Sequence, residues 1–83
     1  ELNETFDFQC FPNPAKNSLT IESTLDLKNA RVLMYDIQGK SIPLSFDING
    51  KQIMLNWNEI SEGSYILKVI LDDADYRIRI IVE

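Results

Sequence analysis

Eighty-three residues form one domain, which buries only roughly 60 to 65% of the surface its unfolded chain exposes; that supports one modest core and leaves little room for an enclosed substrate pocket. An apolar fraction of 45% with three Gly and three Pro excludes disordered and collagen-like classes. Thirteen acidic against eight basic side chains give a net charge of -5, which repels a phosphate backbone and excludes the basic footprint of a nucleic-acid binder.

Residues 1–5 are polar and read as a linker remnant, so the domain is expected over 6–83. Phe6, Phe8 and Cys10 alternate with Asp7 and Gln9 as a first strand, which Pro12 stops because it has no N–H for a ladder. Phe11-Pro12-Asn13-Pro14 is then a rigid corner, each proline fixing its own φ and extending the residue before it. Leu19 and Ile21 alternate with Thr20 and Glu22 as a second strand, and the loop at 23–29 brings Leu25 and Leu27 over an open end of the core.

The third strand, 30–35, puts Ala30, Val32 and Met34 on one face and Arg31, Leu33 and Tyr35 on the other. Asp36-Ile37-Gln38-Gly39 has the Asp-first, Gly-last pattern of a type I turn closed at positive φ, and predicts a hairpin into a return strand at 41–47. That strand carries Ile42, Leu44, Phe46 and Ile48 on one face, while Pro43 marks it as an edge or a bulge. Asn49-Gly50 is the strongest turn signal and leads into 52–57, where Ile53, Leu55 and Trp57 alternate with Met54 and Asn56.

In the connection at 58–63 Ile60 is the lone apolar residue, expected to plug the core, and Gly63 supplies a special dihedral. The next strand, 64–71, alternates, with Tyr65, Leu67, Val69 and Leu71 on one face and Ser64, Ile66, Lys68 and Ile70 on the other, and predicts the central strand. Asp72-Asp73-Ala74-Asp75 is an acidic turn. The last strand, 76–82, places Tyr76, Ile78, Ile80 and Val82 inward and Arg77 and Arg79 outward. Seven short strands and no helical period predict an all-β fold: a small antiparallel β-sandwich with immunoglobulin-like or Greek-key connectivity.

The chemistry of an active site is missing from this pattern. With no histidine, neither Cys10 nor any serine has an evident activating base, so no catalytic residue is assigned. The lone Cys10, between Phe8 and Phe11, reads as a small core filler. Three glycines, eleven and thirteen residues apart, cannot cradle a phosphate, and no cofactor or small-molecule substrate is expected. The carboxylates of 72–75 suggest calcium but lack the twelve-residue loop and its distal glutamate; a hairpin tip in water accounts for them, and no metal ligand is assigned. Trp57 and Tyr35 could stack on sugars, yet both lie in alternating strands where packing is the simpler role. No apolar run approaches the roughly 20 residues of a membrane span, nor resembles a signal-peptide core. An exported form of this domain is therefore expected to be part of a longer protein.

Phe-Pro-Asn-Pro at 11–14, Leu-Met-Tyr-Asp-Ile-Gln-Gly-Lys at 33–40 and Ile-Ser-Glu-Gly-Ser-Tyr-Ile-Leu-Lys-Val at 60–69 together resemble the type A C-terminal sorting domain of the type IX (Por) secretion system of Bacteroidetes. The resemblance runs from the Pro-Asn-Pro corner to the end of the chain. It implies a non-catalytic β-sandwich that escorts a larger cargo through the periplasm and across the outer membrane. The implied partners are the secretion machinery and a sortase-like peptidase that removes the domain and attaches the cargo at the cell surface. Pro12, Asn13 and Pro14 fall on the family's first corner, Asp36 and Gly39 on its mid-domain turn, Gly63 and Tyr65 on its Gly-x-Tyr motif. Arg77 and Arg79 lie where the family carries basic residues, and they are the suspected recognition residues; Glu83 departs from the basic end common in the family. The alternative is a non-cleaved accessory module, fibronectin-like or carbohydrate-binding, in a secreted multidomain enzyme.

Overall fold

The computed structural model describes residues 8–83; the expected linker at 1–5 and the Phe6 end of the first strand lie outside the described residues. Seven strands follow in order: β1 (Phe8–Phe11), β2 (Ser18–Ser23), β3 (Arg31–Asp36), β4 (Leu44–Asn49), β5 (Gln52–Trp57), β6 (Gly63–Leu71) and β7 (Ala74–Val82). They form two antiparallel sheets, one ordered β1-β2-β5-β4 and the other β3-β6-β7. With the strands lettered A to G this is ABED facing CFG, the arrangement of a constant-type immunoglobulin sandwich. The sharply alternating stretch at 64–71 is the central strand of the smaller sheet, as its pattern predicts.

Period-two alternation decides which side chains meet between the sheets. Leu19 and Ile21 of β2 and Ile53, Leu55 and Trp57 of β5 are buried from one side; Val32, Met34, Tyr65, Leu67, Val69, Ile80 and Val82 are buried from the other. Leu27 closes one end of this core, fully buried, with its N–H donating to the Gly50 carbonyl at 2.9 Å, and the partly buried Leu25 packs against the core. Ile60 is only half-buried against the core, a cover more than the expected plug. Phe8 and Tyr76, at facing edges of the two sheets, make an edge-to-face pair with ring centroids 4.8 Å apart.

One expectation fails. β3 and β4 do not form a hairpin but belong to opposite sheets. The turn at 36–39 forms and pairing begins, with Tyr35 opposite Ser41 and the Ile42 N–H donating to the Met34 carbonyl at 2.8 Å. Through Pro43 the chain then crosses the sandwich, and β4 starts at Leu44 as an edge strand beside β5. The alternation of Leu44, Phe46 and Ile48 is satisfied equally from either sheet, because both point one face inward. The tight β4–β5 turn, with Asn49 opposite Gln52, gives β4 a local partner in the larger sheet.

Candidate functional site

The corner at 12–15 does more than join β1 to β2. Its Phe11–Pro12 and Asn13–Pro14 peptide bonds are both cis, and it lies along the outer edge of β7. The Asn13 side-chain Oδ1 accepts from the Ile81 N–H at 3.1 Å, the Ala15 N–H donates to the Ile81 carbonyl at 2.8 Å, and the Glu83 N–H donates to the Ala15 carbonyl at 2.7 Å. Ala15 and Val82 thereby form a short parallel bridge. The Trp57 indole N–H donates to the Lys16 carbonyl, and the Trp57 backbone N–H to that of Asn17, both at 3.0 Å. One corner thus clasps the end of the terminal strand and ties it to the opposite sheet. Ala15 is fully buried beneath it.

The two turn motifs are built to hold backbone. Asp36 Oδ1 accepts from the N–H groups of Gln38 and Lys40, both at 2.9 Å, and its carbonyl accepts from Gly39 at 3.0 Å. Gly39 has φ 87°, where a Cβ is strained. In the connection before β6, Gly63 has φ 150°, again a glycine conformation. Two residues on, the buried Tyr65 turns its hydroxyl back to donate to the Ser61 carbonyl at 2.6 Å. A tyrosine near the start of strand F bonded to backbone just upstream is the tyrosine corner of immunoglobulin-like sandwiches. Gly63 lies directly opposite Val82, so this motif and the Pro-Asn-Pro corner hold the same end of β7 from its two sides.

β7 is an edge strand, and Arg77 and Arg79 stand exposed on the outer face of its sheet. Arg79 reaches the Ser64 hydroxyl at 3.4 Å, and neither guanidinium meets a carboxylate among the described residues. At the β6–β7 turn Asp72 and Asp73 are exposed, and Asp75 lies 3.5 Å from Lys68, a partly solvated pair worth at most about 1 kcal/mol. Among the described residues no three His, Cys, Asp or Glu side chains converge for a metal. Burial pushes the Cys10 thiol up to about 11, which leaves it a protonated filler at neutral pH. Trp57 is buried, so it offers no platform for a sugar; Tyr35 is half-exposed.

The profile of the secretion system C-terminal sorting domain matches residues 9–83, nearly the whole chain. The chain belongs to this family of type IX sorting domains. No curated protein matches it. Sorting domains of this kind are non-catalytic in general; they act with the type IX machinery as part of a cargo protein, and the signal implies export across the outer membrane. The structure brings two of the sequence motifs of this sorting domain, the corner and Gly-x-Tyr, together at one end of β7, and leaves the Asp36 turn beside the outer face of the same sheet. Ala15 and the bond from Trp57 to the corner were not foreseen: an alanine between a proline and a lysine carries no signal, and the indole's partner is 41 residues away in the chain.

Proposed function

We propose that this sorting domain is non-catalytic and that the type IX machinery reads its terminal strand, with Arg77 and Arg79 as the charged recognition marks. The observation that carries this reading is that β7 is an exposed sheet edge bearing two guanidinium groups at alternate positions on a chain of net charge -5. Of the inward side chains, Ile80 and Val82 are buried and serve folding, and Tyr76 and Ile78 are half-buried; the outward Arg77 and Arg79 are exposed and free for a receptor. The Pro12, Asn13 and Pro14 corner and the Gly63 and Tyr65 motif act indirectly, by holding the end of that strand in one conformation. After export, a sortase-like peptidase removes the domain and attaches the cargo at the cell surface.

The test fuses this domain behind a signal peptide and a reporter in a host with the type IX system. Surface reporter is expected with the native domain and is expected to be lost in Arg77→Glu with Arg79→Glu while that variant still melts cooperatively. Retention of the native fusion in the periplasm, with the host's own cargo exported normally, overturns the reading. Normal export of the double variant overturns the role of the two arginines.

A further inference from the structure

The outer face of the β3-β6-β7 sheet differs in charge from the rest of the chain. Its register places Arg31, Ile70 and Asp75 in one row, Leu33, Lys68 and Arg77 in the next, and Tyr35, Ile66 and Arg79 in a third. All three arginines and one lysine therefore share a face whose strand rows hold a single carboxylate, Asp75, with the Asp36 turn at its border, although the chain as a whole is at -5. The outer face of the other sheet, by contrast, carries Glu22 and Asp47 and no Lys or Arg among its strand residues.

β7 borders this basic face, and its free edge has a defined length. Ile81 gives its N–H and C=O to the corner, so in antiparallel alternation Asp75, Arg77 and Arg79 also aim theirs away from β6. Among the described residues nothing pairs with these groups. The inward side chains register the same boundary: beneath the corner Ile80 is 0% and Val82 2% exposed, whereas Tyr76 and Ile78, beside the open stretch, are only half-buried. Among the described residues, no strand flanks this edge over 75–79.

We propose that this edge docks an extended acidic protein segment, which adds as a further strand at 75–79. Its carboxylates, two residues apart, lie beside Arg77 and Arg79 on the outer face, backed by Lys68 and Arg31. Its intervening apolar side chains cover Tyr76 and Ile78. A glycan or a lipid headgroup can answer the charges but not the unpaired N–H and C=O groups, and this is what selects a peptide. The corner stops the added strand at Ile81 and so fixes its register. This inference rests on the reading of β7 as the recognised strand and gives that partner its chemistry.

The test titrates the isotope-labelled chain with an end-blocked Val-Glu-Val-Glu-Val-Lys-Val peptide and follows the amides by NMR. Saturable shifts are expected at Asp75, Arg77 and Arg79, with slowed hydrogen exchange of the last two. Alternate N-methylation of the peptide along its pairing edge, or Arg77→Glu with Arg79→Glu, is expected to weaken binding by about tenfold or more. A peptide with Lys in place of Glu is expected to bind the doubly reversed variant in turn. Undiminished binding of the N-methylated peptide overturns strand addition, as do shifts centred on the Glu22 and Asp47 face or no saturation up to about 1 mM. The export assay keeps the two readings apart. Export that depends on Arg77 and Arg79 without peptide binding sinks this inference alone; peptide binding with no export of the native fusion sinks the sorting role and leaves the docking edge.

Discussion

Asn13→Ala isolates the clasp on the terminal strand. The substitution removes one neutral hydrogen bond of 3.1 Å, from the Ile81 N–H to the Asn13 side chain. Ile81 is 37% exposed, so water replaces the lost acceptor and no buried orphan results. The net loss is then that of an ordinary hydrogen bond, about 1 kcal/mol. For a domain of this size that lowers Tm by about 5 °C. The two backbone bonds through Ala15, at 2.8 and 2.7 Å, stay in place, and Val82 stays buried. The effect is therefore local: hydrogen exchange of the Ile81 amide should speed up by about fivefold, with the β6–β7 amides nearer the turn unchanged. Asn13→Asp keeps an acceptor and should keep the protection. Unchanged exchange at Ile81 in Asn13→Ala would show that the side chain does not hold the strand. A loss above about 3 kcal/mol would show that the corner is part of the global core and not a clasp upon it.

Tyr65→Phe keeps the buried ring and leaves the Ser61 carbonyl without its donor; a loss of roughly 1 to 2 kcal/mol is expected by denaturant midpoint, and a change below a few tenths would remove the tyrosine corner from the account. Gly63→Val should cost roughly 1 to 3 kcal/mol from backbone strain, since an added Cβ meets nothing within 4 Å; an unchanged midpoint would refute the strain. Cys10 should be alkylated about a hundredfold more slowly in the folded chain than in denaturant at pH 8, because burial raises its thiol from 9.0 to about 11. Equal rates would mean that the site is open. The folded thiol holds its proton to higher pH than the unfolded one, so this contribution is complete below pH 9 and is lost as pH rises toward 11. Cys10→Ala should flatten stability over that window, where otherwise up to about 2 kcal/mol drains away after allowing for partial exposure.

The alternating stretches of β2, β5, β6 and β7 carry their own instructions. In each, the side chain period equals the pleat, so Leu19 with Ile21, Ile53 with Leu55, Leu67 with Val69, and Ile80 with Val82 share a face by arithmetic, and all of them are buried. The turns at Asp36 and Gly39, at Asn49 and Gly50, and before β6 at Gly63 are equally local: a carboxylate capping its own backbone, or φ values that favour glycine. The absence of histidine and the negative charge bounded function by chemistry alone.

What sequence determined, then, was which faces are apolar, where the chain turns and, through three motifs, which family it resembles. Tertiary structure alone decided which strand sits in which sheet. A period of two says that Leu44 and Phe46 face inward but not from which side, and only the assembled sheets place β4 beside β5 and not beside β3. The clasp was equally invisible, since Asn13 and Ile81 are 68 residues apart and their bond exists only once both sheets are assembled. So was the basic face. Arg31, Lys68, Arg77 and Arg79 are scattered among thirteen carboxylates along the chain, and only the register of three strands gathers them beside an edge that the corner and the other described residues leave unpaired.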